Sequence, residues 1–314
     1  MLAPVRVVTS RLLSLAVSRV YSIGIYAGAS PLALAPPNVH PNPVLTPECV
    51  TDAVATTVAD PFMIRVDGVW HMFFEAVSWT GRSKKGEIAL ATSRDGFRWA
   101  YRRIVLAEPF HLSYPYVFRH GSDFYMVPES HQAGAVRLYR AERFPDRWVL
   151  DATLLSGPVL ADTSVFERDG RWWLLTETSY RHDTLRLFCS RGLRGPWSEH
   201  PRSPIITDDP GSARPAGRVL SVADRVIRFA QVCQPVYGTS VRAFEITSLT
   251  ERDYRETPFP NSPLLAGSGG GWNRSGMHHV DAHELDDGQW IACVDGWSRR
   301  SPRQLVDWAG RRQG

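Results

Sequence analysis

Two acidic residues stand at the outer ends of one predicted β-hairpin, ADPFMIRVDGVWHMFFEA, which covers residues 59–76. Asp60 lies near its start and Glu75 near its end, although acidic side chains are poor strand formers. The central Asp67–Gly68 pair predicts a tight type I′ turn, because both residues tolerate a positive φ angle. Such a turn places the two strand ends side by side, so we predict that both carboxyl groups reach one site.

The same arrangement of apolar run, polar turn and second apolar run recurs at residues 115–130, 162–178, 214–231 and 280–297. The first strands of these hairpins begin at Asp60, Tyr114, Asp162, Arg214 and His279–Asp281. The second strands end at Glu75, Glu129, Glu177, Gln231 and Asp295. Clustered like charges cost free energy unless something uses them, so these carboxylates predict a functional pocket. The alternative is a structural network in which Arg214, His279 and backbone amides satisfy buried acids.

The spacing of the hairpins indicates the architecture that positions them. They recur about every 50 to 60 residues, the range of propeller blades, and a third and a fourth strand follow in most copies. Five units of four antiparallel strands predict an all-β, five-bladed β-propeller over residues 21–300. Residues 1–20 are predicted to be an N-terminal extension and residues 301–314 a C-terminal tail. The segment Tyr21–Gly28 is an additional strand that we expect to complete blade 5 and leave no open sheet edge.

Propeller geometry gives the hairpin ends a common position. The first strand of each blade lines the central axis and the second returns beside it, so both ends face one mouth of the axial channel. Carboxyl groups that face each other there suit glycosidic bond cleavage, in which one protonated acid donates to the leaving oxygen. A second, ionised acid activates water or attacks the anomeric carbon, and mutual repulsion gives the two groups distinct pKa values.

Other polar and aromatic residues near the predicted mouth are assigned to substrate binding. They are Glu75, Tyr114, Arg214, His279, Asp281, Asp295 and Trp297. Arg214 is expected either to lower a neighbour's pKa or to bind an anionic or hydroxyl-rich substrate. Tyr114 and Trp297 are expected either to stack on sugar faces or to pack within the propeller.

The segment HHVDAH, residues 278–283, is the densest group of candidate metal ligands. Strand periodicity places His279, Asp281 and His283 on one face and His278 on the other. The spacing matches no zinc signature, so we predict no metal or other cofactor, with an axial ion such as calcium as the alternative. A proton relay or sugar contact by His279 beside Asp281 is the preferred interpretation.

Charge, cysteine content and hydropathy exclude several classes of protein. The formal net charge of +4 is spread along the chain, and no basic helix or stripe indicates nucleic-acid binding. The four cysteines lack any CxxC spacing, which argues against a zinc knuckle. Free buried thiols are expected, with a Cys233–Cys293 disulfide as the alternative. No transmembrane span or clear signal peptide is recognised, so a cytoplasmic location is predicted.

Several motifs resemble known carbohydrate-active families. ADPF and ADTSVF within the five-hairpin layout resemble glycoside hydrolase family 43. YSIGIYAG, FHLSYPYVF, YMVPES, ARPAGRV and MHHVDAH resemble the N-terminal domain of plant glucosamine inositolphosphorylceramide transferases and its bacterial stand-alone relatives, over about residues 21–300. This resemblance implies the propeller fold. It also implies a glycosyltransferase partner, because the transferase activity of the plant proteins is assigned to a separate C-terminal domain with no counterpart in this sequence.

The family-43 resemblance also implies roles for individual residues. Asp60 matches the general base and Asp162 matches the acid that tunes pKa and orientation. The EGP-like motif that carries the family's general acid is absent, so Glu129 and Glu177 are the candidate acids. We therefore predict a glycoside hydrolase or transglycosidase that acts on a glycoconjugate or polysaccharide. The alternative is a non-catalytic glycan-binding module that works with a glycosyltransferase in surface-glycan assembly.

Overall fold

The structure is a computed structural model that describes residues 19–80 and 83–300. Residues 1–18, which form most of the predicted N-terminal extension, and the predicted tail at 301–314 lie outside the described residues. Five antiparallel sheets account for the described strands. The prediction of an all-β, five-bladed propeller is therefore confirmed.

Each of the first four blades is a continuous stretch of chain. Blade 1 contains β3 (Ala55–Val66), β4 (Val69–Thr80), β5 (Ser83–Ser93) and β6 (Ala100–Leu106). Blade 2 contains β7 (Ser113–His120), β8 (Asp123–Glu129), β9 (Ala135–Arg143) and β10 (Arg147–Ser156). Blade 3 contains β11 (Ala161–Arg168), β12 (Arg171–Glu177), β13 (Leu185–Ser190) and β14 (Ser198–Glu199). Blade 4 contains β15 (Leu220–Val222), β16 (Arg225–Val232), β17 (Ser240–Leu249), β18 (Tyr254–Pro258) and β19 (Leu265–Ala266).

Blade 5 combines the two ends of the described chain. It contains β20 (Gly276–Glu284), β21 (Trp290–Arg299), β1 (Arg19–Ser30) and β2 (Ala33–Ala35). The strand β1 pairs antiparallel with β21, from Arg19 opposite Arg299 to Gly28 opposite Trp290. The predicted strand at Tyr21–Gly28 thus completes the fifth blade and closes the ring, and the three-residue strand β2 is the outer edge of that blade.

Turns and packing follow the sequence pattern. Asp67 and Gly68 both have positive φ angles, 48° and 75°, as a type I′ hairpin turn requires. Apolar clusters fill the spaces between neighbouring blades. All four cysteines are free thiols, so the Cys233–Cys293 disulfide alternative is wrong; Cys233 and Cys293 are buried as expected, whereas Cys49 and Cys189 are partly exposed. Among the described residues, no helix is long and apolar enough to cross a membrane. The two 3₁₀ helices are short, at Pro47–Cys49 and His131–Ala133.

A β-bulge recurs in the innermost strand of three blades, near the start of β7 and β11 and in the middle of β3. The residues there, Asp60, Tyr114 and Asp162, have left-handed φ angles of 52°, 46° and 47°, and the strand register shifts beside each of them. This conformation is strained for residues with a side chain, and most of all for a bulky one. A bulge re-aims the side chains around it, so the repeated strain sets which side chains face the axis.

Candidate active site

The hairpin ends of several blades meet at one mouth of the axis, around a pocket of about 220 Å³. Of the predicted residues, Asp60, Glu75, Glu129 and Arg214 line it. The pocket wall also includes His278, which the sequence analysis placed on the opposite face. The predicted convergence of blade 1, blade 2 and blade 4 on a single hollow therefore matches the structure.

Arg214 holds three carboxylates on the floor of this pocket. Its Nε lies 2.6 Å from Asp162 Oδ2, its Nη2 lies 3.2 Å from Glu129 Oε2, and its Nη1 lies 3.7 Å from Glu177 Oε2. Burial lowers the pKa of Arg214, but the surrounding acids, Asp162 first, raise it well above its usual value. The guanidinium is thus permanently charged and fully engaged. Arg214 lines the pocket while it holds these acids, so its contact with substrate stays a prediction beside the structural network that was the alternative.

Asp162 and Glu177 are sealed beneath the pocket, with exposures of 1% and 0%. Asp162 Oδ2 also accepts a hydrogen bond of 2.6 Å from Gln231 Nε2, the polar strand end contributed by blade 4. Glu129 Oε2 accepts from the Asp162 backbone N–H at 3.1 Å. The two sealed acids therefore support the floor, and the prediction of Glu177 as the general acid does not fit its position.

Asp60 differs from these acids because, among the described residues, no lysine or arginine pairs with its carboxyl group; His278 Nε2 lies 3.7 Å from its Oδ1. Its backbone N–H donates to Asp295 Oδ2 at 2.9 Å, but its Oδ1 has no hydrogen-bond partner among the described residues. Burial, followed by the charges of Asp162 and Glu75, raises the pKa of Asp60 well above its usual value. The carboxyl group therefore keeps its proton at pH values where exposed aspartates are ionised.

Glu129 has the opposite protonation tendency. Burial raises its pKa, but hydrogen bonding from His131 and the charge of Arg214 together hold the pKa well below the usual value. Both carboxylate oxygens are occupied, Oε1 by His131 Nδ1 at 2.8 Å and Oε2 by Arg214. Glu129 is therefore a fixed negative charge beside Asp60.

In four of the five hairpins, the acid at the end of the second strand is paired with a histidine. The sequence analysis missed this feature. The pairs are Glu75–His111 at 2.9 Å, Glu129–His131 at 2.8 Å, Glu177–His182 at 3.5 Å and Asp295–His278 at 2.6 Å. Each of the first three histidines lies in a loop after its blade's second strand or after the blade. Their positions vary from 2 to 36 residues past the acid, so no fixed spacing marks them in the sequence.

His278, and not His279, belongs to the pocket. The sequence analysis placed His278 and His279 on opposite faces, and it is His278 that lines the pocket. The register of β20 against β21 shifts between Gly276 and His279, beside this residue. His278 Nδ1 bonds Asp295 Oδ1, and its Nε2 lies 3.7 Å from Asp60 Oδ1. His279 is fully buried against the rings of Phe62 and Tyr114 and does not line the pocket, so its predicted sugar contact has no support from this position.

Three further predicted binding residues have internal partners and do not line the pocket. Tyr114 accepts a hydrogen bond from the Gly217 N–H and donates to the Gly217 carbonyl. Asp281 binds Arg218 at 2.7 Å and accepts from the Met63 N–H. Trp297 Nε1 donates to the Gly238 carbonyl at 2.8 Å. These contacts are those of scaffold residues, and their substrate-binding roles stay untested predictions. Asp295, fully buried behind His278, positions that imidazole.

The described residues contain one group with metal-ligand geometry, Asp60, His278 and Asp295, whose ligand atoms lie within 4.8 Å of one another. Two carboxylates and an imidazole are donors that suit several divalent cations. An ion there would require Asp60 to be ionised, so it is the alternative to the protonated state; these residues would then hold it through Asp60 Oδ1, although the imidazole suits calcium poorly because calcium prefers oxygen ligands.

The Glu75–His111 pair gives a prediction that needs no substrate. Burial alone lowers the pKa of His111, but the hydrogen bond and charge of Glu75 raise it above its usual value. Glu75→Gln removes the charge and the strong hydrogen bond that raise the pKa of His111. Burial then dominates, so this pKa should fall below that of an exposed histidine. NMR titration of the His111 ring protons measures this reversal, and an unchanged pKa would contradict the pairing.

Comparison of the fold identifies the class of protein. The chain superposes on a β-1,2-mannobiose phosphorylase from Listeria innocua with a TM-score of 0.61 at 13% identity, covering 86% of this chain and 96% of that one. It matches a family-62 α-L-arabinofuranosidase domain from Coprinopsis cinerea with a TM-score of 0.58 at 12% identity, covering 90% and 98%. A thermostable family-43 glycoside hydrolase matches with a TM-score of 0.55 at 14% identity, covering 77% and 89%. This chain thus has the five-bladed propeller fold of these enzymes.

Comparison of the sequence is more specific. The family model "Glucosamine inositolphosphorylceramide transferase 1, N-terminal" matches residues 17–297, and the chain belongs to this family. Glucosamine inositolphosphorylceramide transferase 1 of Oryza sativa subsp. japonica is 36% identical over 298 residues, and that of Arabidopsis thaliana is 32% identical. These matches cover 88% of this chain but only 40% and 39% of the relatives. The chain therefore spans about two-fifths of their length.

Proposed function

We propose that the axial pocket binds a sugar unit of a glycoconjugate or polysaccharide and cleaves or transfers its glycosidic bond. The observation that carries this proposal is the pair of unlike carboxyl groups, Asp60 and Glu75, that face one pocket from the two ends of the same hairpin. Carboxyl groups with different environments can take the acid and base roles of glycoside cleavage. The fold shared with glycoside hydrolases and phosphorylases agrees with this chemistry.

The environment of each group assigns its role. Asp60 has a raised pKa and a free Oδ1, so it is the general acid in place of the base that the family-43 resemblance implies. Glu75 has one oxygen held by His111, 2.9 Å from its Nε2, and its side chain lines the pocket. Glu75 is therefore better suited than Glu129, whose oxygens are both occupied, to act as the base.

The proposed reaction balances without any further reagent than water or an acceptor alcohol. Asp60 gives its proton to the glycosidic oxygen while the bond from that oxygen to the anomeric carbon breaks. The oxygen of a water molecule bonds to the anomeric carbon, and Glu75 takes the proton that this water loses. In transfer, the hydroxyl group of a second glycan replaces water. Glu129 stays ionised and helps to keep Asp60 protonated.

The test is a panel of p-nitrophenyl glycosides incubated with the wild type and Glu75→Gln. We expect turnover of at least one glycoside by the wild type and a loss of about 100-fold or more in the variant, the size of a general-base contribution. Glu167→Gln is the matched control, because Glu167 also faces a histidine, His120 at 3.8 Å, but on the surface. Equal loss in both variants, or none in Glu75→Gln, would remove Glu75 from the mechanism.

A second candidate function is a non-catalytic glycan-binding module that works with a glycosyltransferase. The observation that favours it is the engagement of Glu129, Asp162 and Glu177 by Arg214, which leaves few carboxylates free for chemistry. The matched relatives are named as transferases and are much longer than this chain, which agrees with a partner of that kind. Glycan binding without turnover by either the wild type or the variant would favour this candidate.

A further inference from the structure

The pocket is small and closed at its base. Its volume of about 220 Å³ lies below the ~300–1,000 Å³ typical of sites for drug-sized ligands. At ~30 Å³ per water molecule it holds about seven waters. The Arg214 network and the Asp60–His278–Asp295 group form its floor, so a ligand enters and leaves by the same mouth. This space fits one sugar ring, not a segment of polysaccharide.

The connector between blades 1 and 2 forms one wall of the pocket. The Gly86 N–H donates to His111 Nδ1 at 2.9 Å, and the Leu112 N–H donates to the Gly86 carbonyl at 3.0 Å. A Cβ atom at Gly86 would lie only 2.3 Å from the Leu112 carbonyl oxygen. Because this approach needs glycine, the connector lies flush against β5 and leaves no groove between the two blades.

The loop at residues 233–239, between β16 and β17, forms a second wall. Trp297 Nε1 donates to the Gly238 carbonyl at 2.8 Å, and Arg19 Nη1 donates to the Tyr237 carbonyl at 3.1 Å. A Cβ atom at Gly276 would lie 2.2 Å from the Gly238 carbonyl oxygen. The loop is therefore fixed against blade 5, by contacts with its strands β20, β21 and β1.

Tyr237 is the side chain that this loop presents to the pocket. Its ring centroid lies 5.2 Å from Arg214 Cζ and 5.3 Å from the ring of His278. An aromatic ring held in this way offers a rigid face to a sugar and limits how far the ligand extends over the rim.

The two walls stand at the junction of blades 1 and 2 and at the junction of blades 4 and 5, on opposite sides of the axis. A glycan chain that crossed the pocket along the line between these junctions would meet a wall on each side. We therefore propose, on the basis of the proposed function, that the site recognises only the terminal sugar of a glycan, with Tyr237 as the residue that enforces this specificity. An enzyme with this site releases or transfers one monosaccharide unit at a time.

The test is a glycan array in which each oligosaccharide occurs twice, with its terminal sugar free and with that sugar extended by one further unit. Extension should reduce binding of the wild type at least about tenfold. Equal binding of the two forms would overturn terminal recognition but leave the proposed function intact. An array without any signal, together with no turnover in the p-nitrophenyl panel, would overturn both. Dye-linked polysaccharides give the catalytic readout, because release of dye-labelled oligosaccharides would contradict the proposal.

Tyr237→Ala tests the role of the wall directly. This variant should lower the binding ratio between free and extended glycans towards one, whereas Tyr237→Phe should keep the ratio of the wild type. Tyr180→Ala is the control, because Tyr180 is 78% exposed on the surface. If the binding ratio is unchanged in Tyr237→Ala, Tyr237 does not set the specificity. If Tyr180→Ala changes the ratio to the same extent, the effect is not specific to Tyr237 and the same conclusion follows.

Discussion

Arg214→Leu is expected to lower the free energy of unfolding by about 3–5 kcal/mol, the cost of removing one partner from a buried ion pair. The substitution leaves Asp162, Glu129 and Glu177 close together without the cation that all three contact. Arg214→Lys should also destabilise the folded protein, because a single ammonium group cannot replace three guanidinium nitrogens that each contact a different acid. Urea unfolding followed by tryptophan fluorescence measures both effects.

Arg181→Leu is the matched control for this prediction. Arg181 also contacts two acids, Asp183 at 2.8 Å and Asp208 at 3.0 Å, but its side chain is 75% exposed. Surface ion pairs contribute about 0–1 kcal/mol, so this variant should unfold close to the wild type. Similar destabilisation by the two leucine variants would mean that the buried Arg214 network has no special energetic role.

Asp60→Asn should have the largest effect on activity. General acids contribute roughly 10²–10⁴-fold to rate, and asparagine keeps the shape of the side chain but cannot give up a proton in the same way. The φ angle of 52° at this position is also tolerated by asparagine. We expect kcat/KM for a glycoside that the wild type turns over to fall by that factor. The wild-type rate should also decline as pH rises through the raised pKa of Asp60.

The same substitution should stabilise the fold at neutral and alkaline pH. The pKa of Asp60 is higher in the folded state than in the unfolded chain, so the wild type loses stability as pH rises through the folded-state value. Asparagine removes this loss, and the two proteins should converge below the pKa of an unfolded aspartate. Thermal unfolding across pH measures the difference.

Asp67→Asn provides the control for both effects. Asp67 lies at the exposed turn of the same hairpin and has a similar φ angle of 48°. It should leave the rate unchanged and should not reproduce the stabilisation expected of Asp60→Asn. If Asp60→Asn retained full activity, the acid role of Asp60 would be wrong, whatever its effect on stability.

Local sequence signals were sufficient to predict the fold. Asp-Gly turns such as Asp67–Gly68 set the hairpins, and alternating apolar residues set their faces, so the number of blades and the ring closure by β1 could be read from the sequence. The convergence of Asp60, Glu75 and Glu129 followed from propeller geometry alone. These features depend on contacts between neighbours in the chain or on the symmetry of the fold.

The details of the site depended on contacts that have no fixed spacing. The pocket histidine is His278, beside a shift of register in β20, and a bulge of this kind has no strong sequence signature. The engagement of Arg214 by acids from two other blades could be stated only as an alternative. His111 was missed because its partner, Glu75, belongs to the preceding blade's hairpin and lies 36 residues earlier.

Ring closure by β1 also affects how the protein is made. Arg19 pairs with Arg299, which the ribosome adds 280 residues later. At roughly 5–20 residues per second this interval lasts about 14–56 s. During that time Ile23 and Ile25, buried in the finished blade, have no sheet partner in β21. The nascent chain thus carries an apolar strand that chaperones can bind, and it joins the propeller only when the last blade has emerged.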